Sequence, residues 1–143
     1  MILVDANLLI YGIDRESAHH SKARTWVEQI LSDKTPVGIA WIVVLAFLRV
    51  TTIQRQTQRV LTPERAIGFV DSWFALPHVS LVLPGKQHWL ILRNLIQVSG
   101  TSGNLTSDAH LAALAIEHGY TVFTADRDFH KFAGVSVVNP LVS

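Results

Sequence analysis

The first seven residues constrain the fold most strongly, because they join a short apolar run to an acidic residue. Ile2–Val4 has no polar alternation, which is typical of a strand buried on both faces of a parallel sheet. Asp5 and Asn7 follow where that strand should end. Open parallel sheets bind ligands at the carboxyl ends of their strands. Asp5 is therefore either a functional carboxylate or an ordinary turn or cap residue.

The rest of the chain alternates short apolar segments with helical patterns, which predicts an α/β fold. Further strands are predicted at 37–39, 79–83, 120–124 and 136–138, and helices at 21–31, 41–52, 63–75, 86–98 and 105–119. The polar stretch 11–21 predicts a loop that enters a helix. We therefore expect a three-layer α/β/α sandwich with a central parallel sheet of four to five strands, in a single domain over residues 1–143.

Three helices carry more detailed predictions. Residues 41–52 are apolar nearly all round, which predicts a core helix. In the helix at 86–98, the apolar residues predicted to point inward are Trp89, Leu90, Leu92, Leu95 and Ile96. Thr106 or Ser107 is expected to cap the helix that ends at Gly119.

Composition excludes some classes of protein. The 143 residues include no cysteine, so disulfides and thiolate metal sites are excluded. The net charge of +1 is too mild to identify a nucleic-acid-binding protein by itself. No signal peptide is visible, and the longest apolar run, residues 39–48, is too short to span a bilayer, so we expect a cytoplasmic protein. The hydrophobic content of 49% predicts a covered sheet and leaves room for apolar surface that a partner buries.

Three carboxylates occupy comparable positions in this pattern. Asp5 follows the first strand, Asp126 follows the fourth, and Asp108 begins the helix that leads into the fourth. If those two strands are neighbours, the three side chains converge, and gathered carboxylates need a cation to neutralise them. Oxygen ligands without cysteine favour a hard ion such as Mg²⁺ or Mn²⁺. Taken singly, Asp108 could instead complement its helix dipole and Asp126 could start a turn.

Other polar residues are weaker candidates. Asn104 and Asp128 are candidate outer members of the site, whereas Glu117 should lie on the opposite side of its helix from Asp108. Arg49 is either a helix arginine that extends to solvent or a phosphate contact. The polar stretch after it carries three further arginines, which could bind a phosphate backbone or form a solvated loop: Arg55, Arg59 and Arg65. Two adjacent histidines, His19 and His20, point about 100° apart on a helix and make a poor metal pair.

Four segments together resemble a known family. They are MILVDAN at 1–7, GNLTSDAHLA at 103–112, TADRDF at 124–129 and VNPL at 138–141. The chain resembles PIN-domain ribonucleases and, more narrowly, VapC-type toxins of bacterial toxin–antitoxin pairs. The resemblance implies a PIN-like fold and a Mg²⁺- or Mn²⁺-dependent endoribonuclease that cuts structured RNA such as tRNA or rRNA. It also implies a homodimer that a small cognate antitoxin neutralises.

The resemblance also assigns roles to residues. Asp5, Asp108 and Asp126 match the family's metal-binding, catalytic carboxylates, and Asn7 and Asp128 match flanking polar positions. One position departs from the pattern: the family usually has a glutamate where this chain has Ala46, within Leu45–Arg49. Losing one of four acids should weaken or alter metal binding.

Ala46 keeps a second hypothesis open, namely a catalytically weakened or inactive module that binds RNA or an antitoxin. A third and weaker hypothesis is a phosphotransferase with Asp5 as nucleophile, but no phosphate-binding loop accompanies it.

Overall fold

The computed structural model describes residues 1–54 and 59–142. Within them, five short strands alternate with six α-helices and one 3-10 helix. In chain order these elements are β1 (Ile2–Val4), α1 (Ala6–Ile13), α2 (His20–Ser32), β2 (Val37–Ala40), α3 (Trp41–Thr52), α4 (Pro63–Phe74), β3 (Val79–Val82), α5 (His88–Ser99), α6 (Leu105–His118), β4 (Thr121–Phe123), the 3-10 helix (Arg127–Lys131) and β5 (Ser136–Val138).

The strands form one parallel sheet in the order β3-β2-β1-β4-β5. The chain moves outward from β1 to β2 and β3 on one side, and β4 and β5 lie on the other side. The gap between β1 and β4 is therefore the point where the strand order reverses. Parallel α/β sheets bind ligands outside the carboxyl ends of the strands at such a point.

Apolar residues account for the layers on both sides of the sheet. Leu3 and Val4 of β1 are fully buried, as the unalternating pattern of this strand predicted. Among the helices, α1 packs on α2 and α3, α3 packs on α4, and α5 packs on α6. The central parallel sheet of five strands flanked by helices confirms the predicted α/β/α sandwich.

The sequence patterns did not predict helix α1. The stretch 11–21 was predicted to be a loop, but its first three residues belong to α1, which starts directly after Asp5. This helix is apolar on nearly all sides, so it lacks the periodicity that reveals a surface helix. Asp5 is its N-cap and accepts a hydrogen bond from the Ala6 amide at 2.7 Å.

Two helices expose apolar residues that were predicted to be buried. Trp41 and Leu45 of α3 are 54% and 63% exposed, so α3 is not covered all round. Trp89 and Leu90 of α5 are 63% and 57% exposed, so their predicted inward orientation was wrong. A helix apolar on several faces does not reveal which of them meets the sheet. These four side chains are exposed apolar surface on α3 and α5.

The start of α6 also differs from the prediction. Asn104 is the N-cap, with no side-chain hydrogen bond to the first turn, so neither Thr106 nor Ser107 caps the helix. At the other end, the Glu117 carboxylate accepts hydrogen bonds from the amides of Gly85 and Gln87, at 2.8 and 3.0 Å. A Cβ at Gly85 would lie 2.5 Å from Glu117 Oε2, so a larger residue there would displace the Glu117 carboxylate. Glu117 thus joins the turn before α5 to α6.

None of the helices in residues 1–54 and 59–142 combines the length and apolar character that a membrane crossing needs.

Candidate metal and catalytic site

The register between β1 and β4 brings Asp5 beside Thr124. Val4 pairs with Phe123, and the Asp5 amide donates to the Phe123 carbonyl at 2.9 Å. The next residue of each strand therefore emerges at the same point of the sheet edge. The side chains of Asp5 and Thr124 meet there, at the carboxyl ends of two neighbouring strands.

Thr124 is the hydrogen-bonding centre of this edge. Its hydroxyl donates to Asp5 Oδ2 at 2.7 Å and accepts from the Asp126 amide at 3.0 Å. The same oxygen accepts from Asn7 Nδ2 at 3.1 Å. A hydroxyl has one donor and two acceptor positions, so Thr124 uses all of them. Because Thr124 is 1% exposed, water cannot readily replace these partners.

Asn7 makes a second connection between the two segments. Its amide group donates to Thr124, and its Oδ1 accepts from the Ala125 amide at 3.3 Å. Asn7 lies in the first turn of α1, whereas Ala125 follows β4. The side chain therefore fixes the start of α1 against the loop that carries Asp126.

Three carboxylates lie close enough to share one cation. Asp108, Asp126 and Asp128 each offer an oxygen, and these oxygens lie within 4.8 Å of one another. Asp108 comes from the first turn of α6, and the other two come from the start of the 3-10 helix. Asp126 Oδ1 also accepts from the Asp128 amide at 2.9 Å, so Asp126 is a cap as well as a member of the cluster.

Asp5 lies beside this trio without belonging to it. Its Oδ1 accepts from the Ala6 amide and its Oδ2 accepts from Thr124, so each oxygen already has a partner. A carboxylate oxygen has more than one lone pair and can still bind a cation. The sequence grouped Asp5 with Asp108 and Asp126 and predicted Asp128 as an outer member, whereas in the structure Asp128 belongs to the trio. We call Asp5, Asp108, Asp126 and Asp128 the acidic cluster.

The pKa values of two members of the acidic cluster, Asp5 and Asp108, are raised. Burial raises the pKa of Asp108 to about 7, and the negative charges of Asp5, Asp126 and Asp128 contribute to the increase. Burial also raises the pKa of Asp5, and Asp126 contributes to that rise. The hydrogen bonds from Thr124 and Ala6 oppose it by stabilising the charged form. Half-buried carboxylates that raise one another's pKa are poised to accept a cation.

The donor set fits a hard divalent cation. The three grouped ligand atoms are carboxylate oxygens, which suit Mg²⁺ and Mn²⁺. The side chains are only partly buried, so such an ion would keep waters and remain accessible to a phosphate.

The other predicted residues occupy the following places in the fold. Asn104 is exposed at the start of α6, one turn before Asp108. Arg49 is exposed in the last turn of α3, eight residues and about 12 Å beyond the start of that helix. Ala46 is partly buried against the core. Arg59 and Arg65 line a groove beside α2 and α4, and Arg55 lies outside the described residues.

Two residues near the acidic cluster were not singled out in the sequence. Thr124 stands in the TADRDF motif, but a threonine after a strand carries no signature of its own. Lys131 lies 3.6 Å from Asp128, from Nζ to Oδ1, three residues further along the 3-10 helix.

The adjacent histidines have structural partners: His20 Nδ1 lies 2.9 Å from the Tyr11 carbonyl, and the His19 ring lies 5.0 Å from the Tyr11 ring.

The chain is similar to known proteins over nearly its whole length. The PIN domain model matches residues 2–135. Ribonuclease VapC37 of Mycobacterium tuberculosis is 42% identical over 135 residues, which cover 94% of each chain. Ribonuclease VapC33 of the same species is 33% identical over 141 residues, 99% of each chain.

Solved structures share the fold at lower identity. The VapC20 toxin of Mycobacterium tuberculosis, described as cleaving the sarcin–ricin loop, has a TM-score of 0.65 and 19% identity, covering 95% of this chain and 99% of that one. VapBC2 of Rickettsia felis, bound to a promoter DNA fragment, has a TM-score of 0.68 and 17% identity, covering 97% and 98%. Because the family model spans most of the chain and the VapC relatives exceed 30% identity over nearly all of it, this protein belongs to the PIN-domain family, among its VapC ribonucleases.

Proposed function

We propose that this protein is a metal-dependent endoribonuclease toxin that cuts structured RNA. The observation that carries the proposal is the convergence of the acidic cluster at the point where the strand order reverses. The names of its VapC relatives support the RNA-cleaving activity. The proposal treats residues 1–143 as one PIN-like domain.

In this proposal the acidic cluster holds Mg²⁺ or Mn²⁺. Asp108, Asp126 and Asp128 offer grouped oxygens, and Asp5 adds a fourth carboxylate that Thr124 and the Ala6 amide keep in place. When bound, the ion supplies an activated water and stabilises the negative charge that develops on the phosphate. Asp108, with its pKa near neutrality, releases its proton when the cluster binds the cation.

The proposed substrate is a structured RNA, such as tRNA or rRNA. The sarcin–ricin loop activity described for VapC20 supports this class, because that loop is a folded element of ribosomal RNA. Exposed basic residues beside the acidic cluster, Arg127 and Lys131, could contact phosphates. Arg49 and the arginines beyond it in the sequence remain further candidates. The proposal includes a cytoplasmic location, because RNA of this kind is found there.

We further propose a small antitoxin as regulator, because the chain resembles toxins solved as VapBC complexes. A groove of about 810 Å³ between α1, α2 and α4 supports such a partner. Its walls combine apolar side chains with charges of both signs: Ile10, Val27, Phe69, Trp73, Asp14, Glu28, Arg24 and Arg65. This mixture suits a peptide segment with apolar anchors and charged flanks.

The exposed apolar side chains support a homodimer. Trp41 and Leu45 lie in the first half of α3, which follows β2, and Trp89 and Leu90 lie in the first turn of α5, which follows β3. Because β2 and β3 are parallel neighbours, both helices follow strands that end at the same edge of the sheet. Sedimentation should show a dimer that Leu45→Glu dissociates, whereas Val98→Glu, at a residue 69% exposed near the end of α5, should leave it intact.

A cleavage assay tests the proposed activity. Purified protein is incubated with tRNA or rRNA in Mg²⁺, in Mn²⁺ and in EDTA, beside the variant Asp5→Asn. We expect cleavage by the wild type that needs the ion and a loss of at least about tenfold in the variant, since a charged group facing the metal is removed. Equal cleavage by both proteins, or cleavage in EDTA, would remove the proposed mechanism.

A further inference from the structure

Lys131 brings a positive charge into contact with the acidic cluster. Its Nζ lies 3.6 Å from Asp128 Oδ1. The other ion pairs found in residues 1–54 and 59–142 are Arg24–Glu28 and His88–Glu117, and neither involves a member of the cluster. Lys131 therefore supplies the contacting positive charge where several negative charges meet.

The backbone under Lys131 is firmly anchored, while its side chain is exposed. Phe129 and Phe132, on either side, are 0% and 3% exposed and pack edge to face with ring centroids 6.0 Å apart. Asp126 caps the start of the same 3-10 helix. The Lys131 side chain is 56% exposed, so the ammonium group sits at the rim of the site on a flexible stem.

The pairing of Lys131 with Asp128 is easily exchanged. An exposed ion pair between residues three apart contributes little to stability. A divalent cation that binds Asp128 competes with the ammonium group for the same carboxylate. Once released, the ammonium lies within a side chain's reach of any phosphate drawn to the ion.

We propose that Lys131 is an RNA-contacting residue, which pairs with Asp128 in the metal-free protein and with an RNA phosphate when a divalent cation occupies the acidic cluster. This inference rests on the proposed ribonuclease function and extends it to a residue on which the activity depends. Lys131 is thus expected to lower the affinity of the acidic cluster for a divalent cation and to raise the affinity of the protein for RNA.

The test compares Lys131→Met, Lys131→Arg and two controls. Arg127→Gln removes an exposed charge from the same 3-10 helix, at a residue that has no ion pair with the cluster. Lys34→Met removes a charge just before β2, at the amino ends of the strands. Mn²⁺ affinity is measured by calorimetry without RNA. Binding of fluorescein-labelled tRNA is measured in Ca²⁺, to slow cleavage, and again in EDTA, over a range of salt concentrations.

We expect Lys131→Met to bind Mn²⁺ up to about fivefold more tightly than wild type, since a weak competing ion pair is lost. In Ca²⁺ it should bind tRNA about three- to tenfold more weakly, with a salt slope smaller by about 1, because one phosphate contact is lost. In EDTA the loss of tRNA affinity should be smaller, because Lys131 of the wild type then stays paired with Asp128. Lys131→Arg should restore both affinities, Arg127→Gln should leave Mn²⁺ affinity unchanged, and Lys34→Met should leave both unchanged.

Two results would overturn the inference in distinguishable ways. If wild type binds Mn²⁺ and cleaves RNA, but Lys131→Met matches it in tRNA affinity and salt slope, the role of Lys131 is wrong and the proposed function stands. If wild type binds no Mn²⁺ and cleaves no RNA, the proposed function fails and this inference fails with it.

Discussion

Thr124 shows how one buried hydroxyl can organise charged residues from distant parts of the chain. It joins Asp5, Asn7 and the Asp126 amide through three hydrogen bonds. Removing it would leave buried polar groups without partners, which costs more than a neutral hydrogen bond contributes. The site therefore depends on a residue that does not itself carry charge.

Thr124→Val keeps the shape of the side chain and removes the hydroxyl. We expect the free energy of unfolding to fall by about 1–3 kcal/mol, because buried polar groups lose their partners. Mn²⁺ affinity should fall by about tenfold or more, as when other supports of metal ligands are removed. Urea denaturation and calorimetry measure the two effects. Thr124→Ser should retain both properties, and a valine variant that binds Mn²⁺ like wild type would contradict the role assigned to Thr124.

Asp108 should make the metal-free protein less stable as the pH rises. Its folded pKa of about 7 exceeds its unfolded value near 3.8, so the folded state binds more protons between these values. Stability from this group is therefore present at low pH and declines through pH 7. Because the Asp108 side chain is partly exposed, we expect the free energy of unfolding to fall by about 1 kcal/mol over this range, less than the full pKa shift implies.

Asp108→Asn removes this titration. In EDTA at pH 8 its melting temperature should exceed that of wild type by about 2–5 °C, and the difference should be less than half as large at pH 5, which lies inside the window between the two pKa values. Thermal denaturation at both pH values measures it, and excess Mn²⁺ should reverse the order by stabilising only the wild type. A variant that melts below wild type at pH 8 in EDTA would mean that the ionised carboxylate does not destabilise the fold.

At the scale of elements, the sequence predicted α3 at its observed bounds but not its environment. Its long apolar run identified Trp41–Thr52, whereas the exposure of Trp41 and Leu45 depends on what covers the helix. α1 was missed for a related reason: buried helices lack the polar face that reveals a helical period. Local patterns identify elements, and packing decides which faces are buried.

Ala46 tests what α3 contributes to the site. The residue lies five positions, about 7.5 Å, beyond the start of α3, which follows the carboxyl end of β2. Restoring the family's acid with Ala46→Glu should raise Mn²⁺ affinity by about tenfold, because a fourth or fifth carboxylate then faces the ion. Ala46→Gln has nearly the same shape without the charge and should not. Equal affinities of the two variants, measured by calorimetry, would mean that this position does not face the cation.

At the scale of the whole molecule, the strand order brings residues that are distant in sequence into one site. Asp5 and Asp126 are far apart in sequence, and they meet because β1 and β4 are neighbours in a parallel sheet. The sequence predicted that these strands end in acids, but their adjacency was only a condition of the hypothesis. Neither the hydroxyl of Thr124 nor the position of Lys131 follows from strand patterns, since both depend on side-chain contacts across the fold.

The central claim is that acids brought together by this sheet hold a divalent cation. The most direct test is calorimetric titration with Mn²⁺ of wild type, Asp126→Asn and Asp33→Asn, the last a control at the end of α2. We predict saturable binding to wild type and to Asp33→Asn with equal affinity, and binding at least about tenfold weaker to Asp126→Asn. The same affinity in all three proteins, or no binding to wild type, would contradict the account.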